Sequence, residues 1–244
     1  MEKKLNIATY SSHTNINPND IKGKTVVCID VFCSSTTLLG AFKNGLKRVL
    51  VIDDPIEAPT YKHRLNDDRI LMGGANRFKP ITGLDVSDSF LDYSNKAVSG
   101  KELIYSNENF APTIRKCKRA KKVFVGGIVN SYAVANKIVN EKNDVALVCC
   151  GDDGSFALED GLAAGAIISD IVNLNKDFSL TEYSFVIDLI YKRFQSDLLE
   201  VLKQSRAYNE LLNLGHYDDI SLALEKDKYD FVPTLHDNWI TVLD

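Results

Sequence analysis

A carboxylate followed by a run of hydroxyl side chains stands directly after an apolar segment near the start of the chain. Asp30 ends the apolar run 24–30, and a helical apolar pattern begins a few residues later. The hydroxyl residues between them are Ser34, Ser35, Thr36 and Thr37. Because a helix N-terminus presents free backbone N–H groups and a positive dipole end, this turn is suited to bind phosphate. Ordinary N-capping with a structural acid fits the same residues equally well.

A second polar turn, at 151–160, follows another apolar run and carries four carboxylates. They are Asp152, Asp153, Glu159 and Asp160. Clustered acids at a strand end commonly hold Mg²⁺, which prefers oxygen ligands. Neighbours on a helix point about 100° apart, so we do not expect Glu159 and Asp160 both to meet one ion. Acids that merely complement the helix dipole are the better explanation of this turn taken alone.

A third polar turn, at 106–112, contains Asn109 and also lies between a predicted strand and a predicted helix. Ligands of open α/β sheets bind outside the carboxyl ends of the strands. We therefore expect all three turns to line one crevice, and this is the main reason to expect an enzyme. The nucleotide-binding glycine motifs and the G-x-S-x-G motif do not occur in the sequence.

The elements that must position these turns are an alternation of short β-branched runs and helix-period stretches. This alternation predicts an α/β fold with largely parallel sheets and flanking helices. The predicted strands are 24–30, 48–53, 69–72, 101–105, 122–126 and 144–150, with a terminal hairpin at 231–235 and 239–243. Residues after 154 are predicted to be mostly helical. We divide the chain into two α/β halves around the ligand crevice, 1–100 and 101–244, the second ending in the helical region and the hairpin.

Composition narrows the class of protein. The 244 residues carry a formal net charge of -4, which is opposite to the basic excess that a nucleic-acid binder needs. No apolar run approaches the length of a membrane span, and the first residues lack a signal-peptide pattern, so we expect a cytoplasmic protein. The five cysteines show no C-x-x-C spacing, which argues against a zinc site.

Several segments together resemble the 2-phosphosulfolactate phosphatase family. In the family's order they are 26–31 with Asn44-Gly45, 83–89, Val125-Gly126 with Asn130, 154–160 with Ala164-Gly165, and 230–233. The most specific piece is Phe156-Ala-Leu-Glu-Asp160 followed by Ala164-Gly165. The similarity spans about residues 24 to 235. It implies a distinctive α/β fold and a Mg²⁺-dependent phosphatase of the coenzyme M pathway, which hydrolyses 2-phospho-3-sulfolactate to sulfolactate and phosphate.

The chain departs from the family pattern where the family has arginines. Cys33-Ser34 replaces Arg-Ala, Gly74-Ala75-Asn76 replaces Gly-Glu-Arg, and 108–112 keeps only the asparagine of Thr-Asn-Gly-Thr-Arg. Residues 87–90, Ser-Asp-Ser-Phe, stand for the family's Gly-Asn-Ser-Pro. Arginine binds acidic groups through two parallel hydrogen bonds, which serine or asparagine cannot replace. Arg77 and Lys79 lie close enough in sequence to substitute for part of the lost charge.

The resemblance implies roles for individual residues. The catalytic residues are Asp30, Asn109 and Asp160; the phosphate-binding residues are Ser34, Ser35, Thr36 and Thr37; and the metal ligands are Asp30, Asp85 and Glu159. The expected partner is a small anionic phosphate ester, with neither nucleic acid nor membrane, and a homodimer is left open. The alternative is a divergent member with an altered substrate or no catalysis, which binds a small anion or a partner protein. If specificity has drifted, Cys33 lines the pocket as a nearly neutral side chain.

Overall fold

The computed structural model describes residues 4–242, and in this part of the chain eleven strands form one mixed sheet. The strands are β1 (Leu5–Tyr10), β2 (Thr25–Ile29), β3 (Arg48–Val51), β4 (Ile70–Asn76), β5 (Lys79–Pro80), β6 (Glu102–Asn107), β7 (Lys122–Gly126), β8 (Val145–Cys149), β9 (Phe178–Leu180), β10 (Thr234–His236) and β11 (Trp239–Thr241). Their order across the sheet is β5-β4-β6-β3-β11-β10-β7-β2-β8-β1-β9. The strands form two parallel blocks, β4-β6-β3 and β7-β2-β8-β1-β9, and every antiparallel contact involves β5, β10 or β11. The hairpin β10–β11 joins the two blocks, which run in opposite directions. The predicted α/β fold with a largely parallel sheet is therefore confirmed.

Helices connect the strands and fill the region after β8. They are α1 (Ser34–Lys43), α2 (Ala58–Leu65), α3 (Asn95–Val98), α4 (Phe110–Cys117), α5 (Ser131–Glu141), α6 (Leu158–Leu174), α7 (Glu182–Phe194), α8 (Leu198–Leu202), α9 (Arg206–Leu214) and α10 (Tyr217–Ala223). The helical C-terminal region is thus present as predicted, followed by the β10–β11 hairpin. Within residues 4–242, no helix combines the length and the apolar character that crossing a membrane requires.

The central strands are buried on both faces, which explains why they read as continuous apolar runs. In β2, Val27 and Ile29 pack into the apolar cluster that includes α5 and α6, whereas Val26 and Cys28 pack into the cluster that includes α1 and α4. Successive side chains of a strand point to opposite faces, so one strand contributes to both layers. The result is a sheet covered on each side by helices, with its polar turns left at the strand ends.

Three strands were not predicted, namely β1, β9 and the two-residue β5. β1 lies between β8 and β9, and β9 forms the edge of the sheet next to it. Neither has a long β-branched run, so its sequence gives little strand signal. β1 is a strand because it pairs in parallel with β8, and β9 is a strand because it pairs in parallel with β1. The end of the predicted hairpin, residue 243, lies outside the described residues.

The two predicted halves do not form separate sheets. β6 lies between β4 and β3, and β2 lies between β7 and β8, so strands from both sides of residue 100 alternate in one sheet. Parallel strands need crossover connections, and these connections place later strands beside earlier ones. The division of the chain at residue 100 stays a prediction.

Candidate functional site

A pocket lies at the carboxyl ends of two pairs of parallel strands, β2 with β8 and β4 with β6. The side chains that line it follow or end β2, β4, β6 and β8 or belong to the starts of α6 and α9. They are Asp30, Phe32, Arg77, Phe78, Asn107, Glu108, Asn109, Gly151, Asp152, Glu159, Asp160, Ala207 and Glu210. The free cavity inside them is small, about 20 Å³, which is room for about one water molecule. The three polar turns singled out in the sequence thus all contribute to one pocket.

Bending of the sheet brings the turns together. β2 and β6 lie five positions apart in the sheet order. Three antiparallel contacts separate them, so β6 runs opposite to β2, and in a flat sheet their carboxyl ends would lie at opposite edges. At a spacing of about 4.8 Å between strands, those ends would be more than about 24 Å apart. Nevertheless Asp30, at the end of β2, and Asn109, just after β6, line the same small pocket. The sheet therefore curls around the pocket.

Asp160 joins the ends of two central strands. One carboxylate oxygen accepts a hydrogen bond from the Val31 N–H at 2.9 Å, and the other accepts one from the Gly151 N–H at 3.0 Å. These two N–H groups lie just beyond β2 and β8 and would otherwise be buried without partners. Burial raises the pKa of Asp160 well above its ordinary value, and the nearby Asp30 and Glu159 carboxylates raise it further. Asp160 lines the pocket while it holds the two turns in place.

Glu159 extends the acidic wall toward the helical region. It is 97% removed from solvent, and its carboxylate accepts a hydrogen bond from the Ser205 hydroxyl at 2.7 Å. Burial raises the pKa of Glu159. Although Glu159 and Asp160 are adjacent on α6, both line the pocket, because Asp160 turns toward the strand ends and Glu159 turns toward Ser205.

Asp30 is the carboxylate with a free oxygen in this wall. Its Oδ2 is buried and has no hydrogen-bond partner among residues 4–242. Burial raises the pKa of Asp30 well above its ordinary value, and repulsion from the Asp88 carboxylate adds to the effect. A buried oxygen without a partner has a free-energy cost that a bound cation or a proton removes. Asp30 Oδ2 is therefore the atom of the pocket best prepared to take a ligand.

The four hydroxyl residues after β2 are all buried, and none of them lines the pocket. The Ser35 hydroxyl accepts a hydrogen bond from the Asp30 N–H, the Thr36 hydroxyl donates to Val31 O, and the Thr37 hydroxyl donates to Asp88 O. These three hydroxyls hold the turn and the start of α1. Ser34 Oγ alone of the four has no partner among the described residues. Of the predicted phosphate-binding set, Ser34 thus retains an unused hydroxyl.

A second buried carboxylate, Asp88, stands behind the pocket. The Tyr105 hydroxyl donates to Asp88 Oδ1, and the Asn107 amide donates to Asp88 Oδ2 at 2.9 Å. The Asn107 carbonyl oxygen accepts hydrogen bonds from the N–H groups of Asn109 and Phe110, at the start of α4. Asn107 thereby links Asp88 to Asn109, and Asn109 itself lines the pocket.

Asp88 makes the stability of the protein depend on pH. Burial raises the pKa of Asp88 from 3.8 to about 7, since the two donors only partly offset the loss of water. The folded state therefore binds a proton that the unfolded state has released, and the free energy of unfolding falls as pH rises from about 4 to about 7. At 1.36 kcal/mol per pKa unit the loss is about 4 kcal/mol.

Asp88→Asn removes this titration. We subtract the free energy of unfolding of wild type from that of the variant. We expect this difference to increase by about 4 kcal/mol from pH 4 to pH 8. Urea unfolding of both proteins at the two pH values measures the shift. Asp85→Asn, at an exposed carboxylate, is the control. A difference that stays constant with pH for Asp88→Asn would contradict the assignment.

The structure does not bring the predicted metal ligands together as a set of three. Asp30 and Glu159 line the pocket, whereas Asp85 lies outside it. The Asp85 carboxylate accepts a hydrogen bond from the Met72 N–H at 2.8 Å and faces Lys62 at 3.6 Å. These contacts stabilise the loop after β4 instead. Within residues 4–242, no group of three His, Cys, Asp or Glu side chains surrounds a point where a metal ion would sit.

Cys33 does not line the pocket either. It is buried in the apolar cluster on the α5–α6 side of the sheet, while its neighbour Phe32 reaches the pocket wall. Burial raises the pKa of the Cys33 thiol well above its ordinary value, so the thiol stays neutral. Cys33 therefore acts as a small apolar side chain of the core.

Sequence reasoning missed several residues of the site. Asn107 and Glu108 line the pocket and lie within the third polar turn, although neither was named as a site residue, and Phe78 lines it between Arg77 and Lys79. Glu210 comes from α9, a segment that shows only helical periodicity, and nothing in its sequence points to the pocket. Arg77 does line the pocket, whereas Lys79 is exposed and lies outside it.

Comparisons with known proteins match nearly the whole chain to one family. The family model described as 2-phosphosulpholactate phosphatase matches residues 10–238. A protein of Caldanaerobacter subterraneus subsp. tengcongensis, called "Probable 2-phosphosulfolactate phosphatase", is 32% identical over 229 residues, which cover 94% of this chain and 95% of the relative. A protein of Clostridium beijerinckii with the same name is 30% identical over 240 residues, covering 97% and 99%. A third, from Caldicellulosiruptor saccharolyticus, is 31% identical over 233 residues, covering 93% and 96%.

Proposed function

Because this chain belongs to the 2-phosphosulfolactate phosphatase family, we propose that it is a phosphoric monoester hydrolase that converts 2-phospho-3-sulfolactate into sulfolactate and phosphate. The observation that carries the proposal is the convergence of Asp30, Asn109, Glu159 and Asp160 in one pocket at the carboxyl ends of the sheet. This is where ligands bind in open α/β folds. A non-catalytic member that binds a small anion is the alternative.

We further propose that the enzyme depends on Mg²⁺, and the charge of the pocket supports this. The pocket is lined by six acidic side chains, which are Asp30, Glu108, Asp152, Glu159, Asp160 and Glu210. Arg77 is the one cationic side chain among the described residues that line it. A bound cation would stabilise both the charged forms of these carboxylates and a dianionic phosphate beside them, since like charges in a region of low dielectric repel strongly.

The donor set fits this cation. Within residues 4–242 Asp30 Oδ2 has no hydrogen-bond partner, and Glu159 supplies a second carboxylate in the same wall. Mg²⁺ is usually bound by one or two carboxylates, and waters and phosphate oxygens complete its shell, so a third protein ligand is not required. When bound, Mg²⁺ would polarise the phosphoryl group and neutralise part of its charge.

The remaining residues of the site position the reactants. Asp160 holds the turns after β2 and β8, so that Asp30 stays aimed into the pocket. Asn109, placed by its N–H bond to Asn107, is proposed to orient the ester oxygen. Asp30 is proposed either to ligate the cation or to accept the proton of the attacking water. Phosphoryl transfer depends mainly on such positioning and charge stabilisation, and little on covalent chemistry by the protein.

The test is a hydrolysis assay on a panel of small phosphate esters that includes 2-phospho-3-sulfolactate. We expect phosphate to be released in the presence of Mg²⁺. Phosphate release should stop when EDTA removes divalent cations, and it should resume when Mg²⁺ is added back. Phosphate release that EDTA does not reduce would contradict the metal dependence. No release from any ester, together with saturable binding of a small anion in calorimetry, would favour the alternative.

Two further expectations from the sequence stay predictions. A cytoplasmic location is checked by fractionation of the source cells. A homodimer is checked by sedimentation of the purified protein. Phe185, Val186 and Leu189 on α7 are exposed apolar side chains that such a contact would cover.

A further inference from the structure

The mouth of the pocket is crossed by ion pairs between three separate segments. Arg77, in the turn between β4 and β5, contacts Asp153 through Nη1 at 2.5 Å and Glu210 of α9 through Nη2 at 3.2 Å. Asp153 stands in the turn after β8 and also accepts a hydrogen bond from Arg206 at 3.1 Å. Arg206 makes a second ion pair, to Asp152. These contacts tie the β4–β5 turn and α9 to the turn after β8.

The free space between the lining side chains is too small for the proposed substrate. A cavity of about 20 Å³ holds about one water molecule, whereas the substrate is a three-carbon chain bearing a phosphate, a carboxylate and a sulfonate. Some contact at the mouth must therefore open when the substrate enters. The ion pairs of Arg77 are the natural ones to exchange, since Arg77 and Asp153 are both about half exposed. Exposed ion pairs contribute little to stability, so their exchange costs little.

We propose, on the premise of the function above, that Arg77 is the residue that selects a substrate with a second acidic group. In the empty pocket its guanidinium is held by Asp153 and Glu210. When the substrate is bound, the carboxylate or sulfonate remote from the phosphate takes the place of one of these carboxylates. Arg77 has the geometry for this exchange, because its planar guanidinium forms two parallel hydrogen bonds to an acidic group. The backbone N–H of Arg77 donates a hydrogen bond to the Glu108 carboxylate at 2.7 Å, which keeps the turn beside the pocket.

The acidic partners of Arg77 then act as internal competitors of the substrate. Removing one of them should strengthen the binding of an anionic ligand, while removing the arginine should weaken it. If the guanidinium of Arg77 had a purely structural role, these opposite effects on anion binding would not be expected. Arg206 is a positioning residue here, since its bonds to Asp152 and Asp153 hold the turn that carries the competitor.

The experiment compares two esters in wild type and in the variants Arg77→Gln, Arg77→Lys and Asp153→Asn. The first ester is 2-phospho-3-sulfolactate. The second is glycerol 2-phosphate, which keeps the phosphate on the middle carbon but has neutral hydroxymethyl groups in place of the two other acidic groups. The readout is the ratio of kcat/KM for the two esters, and the KM for the first. Arg115→Gln is the matched control, because Arg115 is an exposed arginine that pairs with Asp53 away from this pocket.

We expect Arg77→Gln to lower the ratio at least tenfold, Arg77→Lys to lower it less, and Asp153→Asn to lower the KM for 2-phospho-3-sulfolactate at least threefold. The control should leave the ratio unchanged. An unchanged ratio in Arg77→Gln, with both esters still hydrolysed, overturns the proposal and leaves the phosphatase function standing. If wild type hydrolyses neither ester, the proposed function fails, and calorimetric binding of sulfolactate decides the role of Arg77. Binding at least tenfold weaker in Arg77→Gln then supports the role, whereas equal or absent binding overturns it.

Discussion

Replacing Asp30 by asparagine is expected to lower kcat/KM for the phosphate ester by about 10³-fold or more, since the position is proposed to act as metal ligand or general base. At the end of β2, Asp30 presents a carboxylate oxygen that has no hydrogen-bond partner in the described part of the chain. The asparagine keeps the shape of the side chain but removes the charge. Phosphate release by purified wild type and variant, at saturating Mg²⁺, measures the change.

The free energy of unfolding of Asp30→Asn shows whether a loss of activity comes from the site or from unfolding of the protein. Burial raises the pKa of Asp30 well above its ordinary value, so the charged form is unfavourable in the folded protein. Replacing it by a neutral side chain of equal size should leave the free energy of unfolding within about 1 kcal/mol of wild type, or increase it. Asp85→Asn, outside the pocket, should retain activity. A rate for Asp30→Asn equal to that of wild type would remove the proposed role.

Replacing Gly74 by alanine is expected to destabilise the protein by about 4 kcal/mol or more, a large effect for a single substitution. A Cβ at this position would stand 1.9 Å from the backbone oxygen of Ser106 on the neighbouring strand β6. The φ of Gly74 is +137°, which an L side chain rarely adopts. Both causes act on the backbone pairing of β4 and β6, so the side chain has no way to move aside.

Urea unfolding of Gly74→Ala and of Gly127→Ala provides the comparison. Gly127 has an extended backbone, and a Cβ there would meet nothing within 4 Å, so its variant should unfold close to wild type. Because β4 leads directly to Arg77, any folded Gly74→Ala protein should also show a raised KM. A Gly74→Ala protein as stable as the Gly127 control would show that the strands separate at little cost.

The strands and helices that the sequence determined by itself are those with strong local periodicity. β2, β7 and β8 are continuous apolar runs because both faces of a central parallel strand are buried. The helices α6 and α7 follow from spacing at 3.6 residues per turn. The same reasoning located the polar turns, since they are the places where these patterns stop.

Only the tertiary structure decided which polar side chains share the pocket. Asp30 and Asn109 are far apart in sequence and five strand positions apart in the sheet, and only the curl of the sheet joins them. Asp85 follows a strand as well, yet its carboxylate turns to the Met72 N–H and away from the pocket. Glu210 reaches the pocket from a helix with no local sign of a site. A local pattern reports which face of an element is apolar, whereas the direction of a polar side chain at a strand end depends on partners brought in by the rest of the chain.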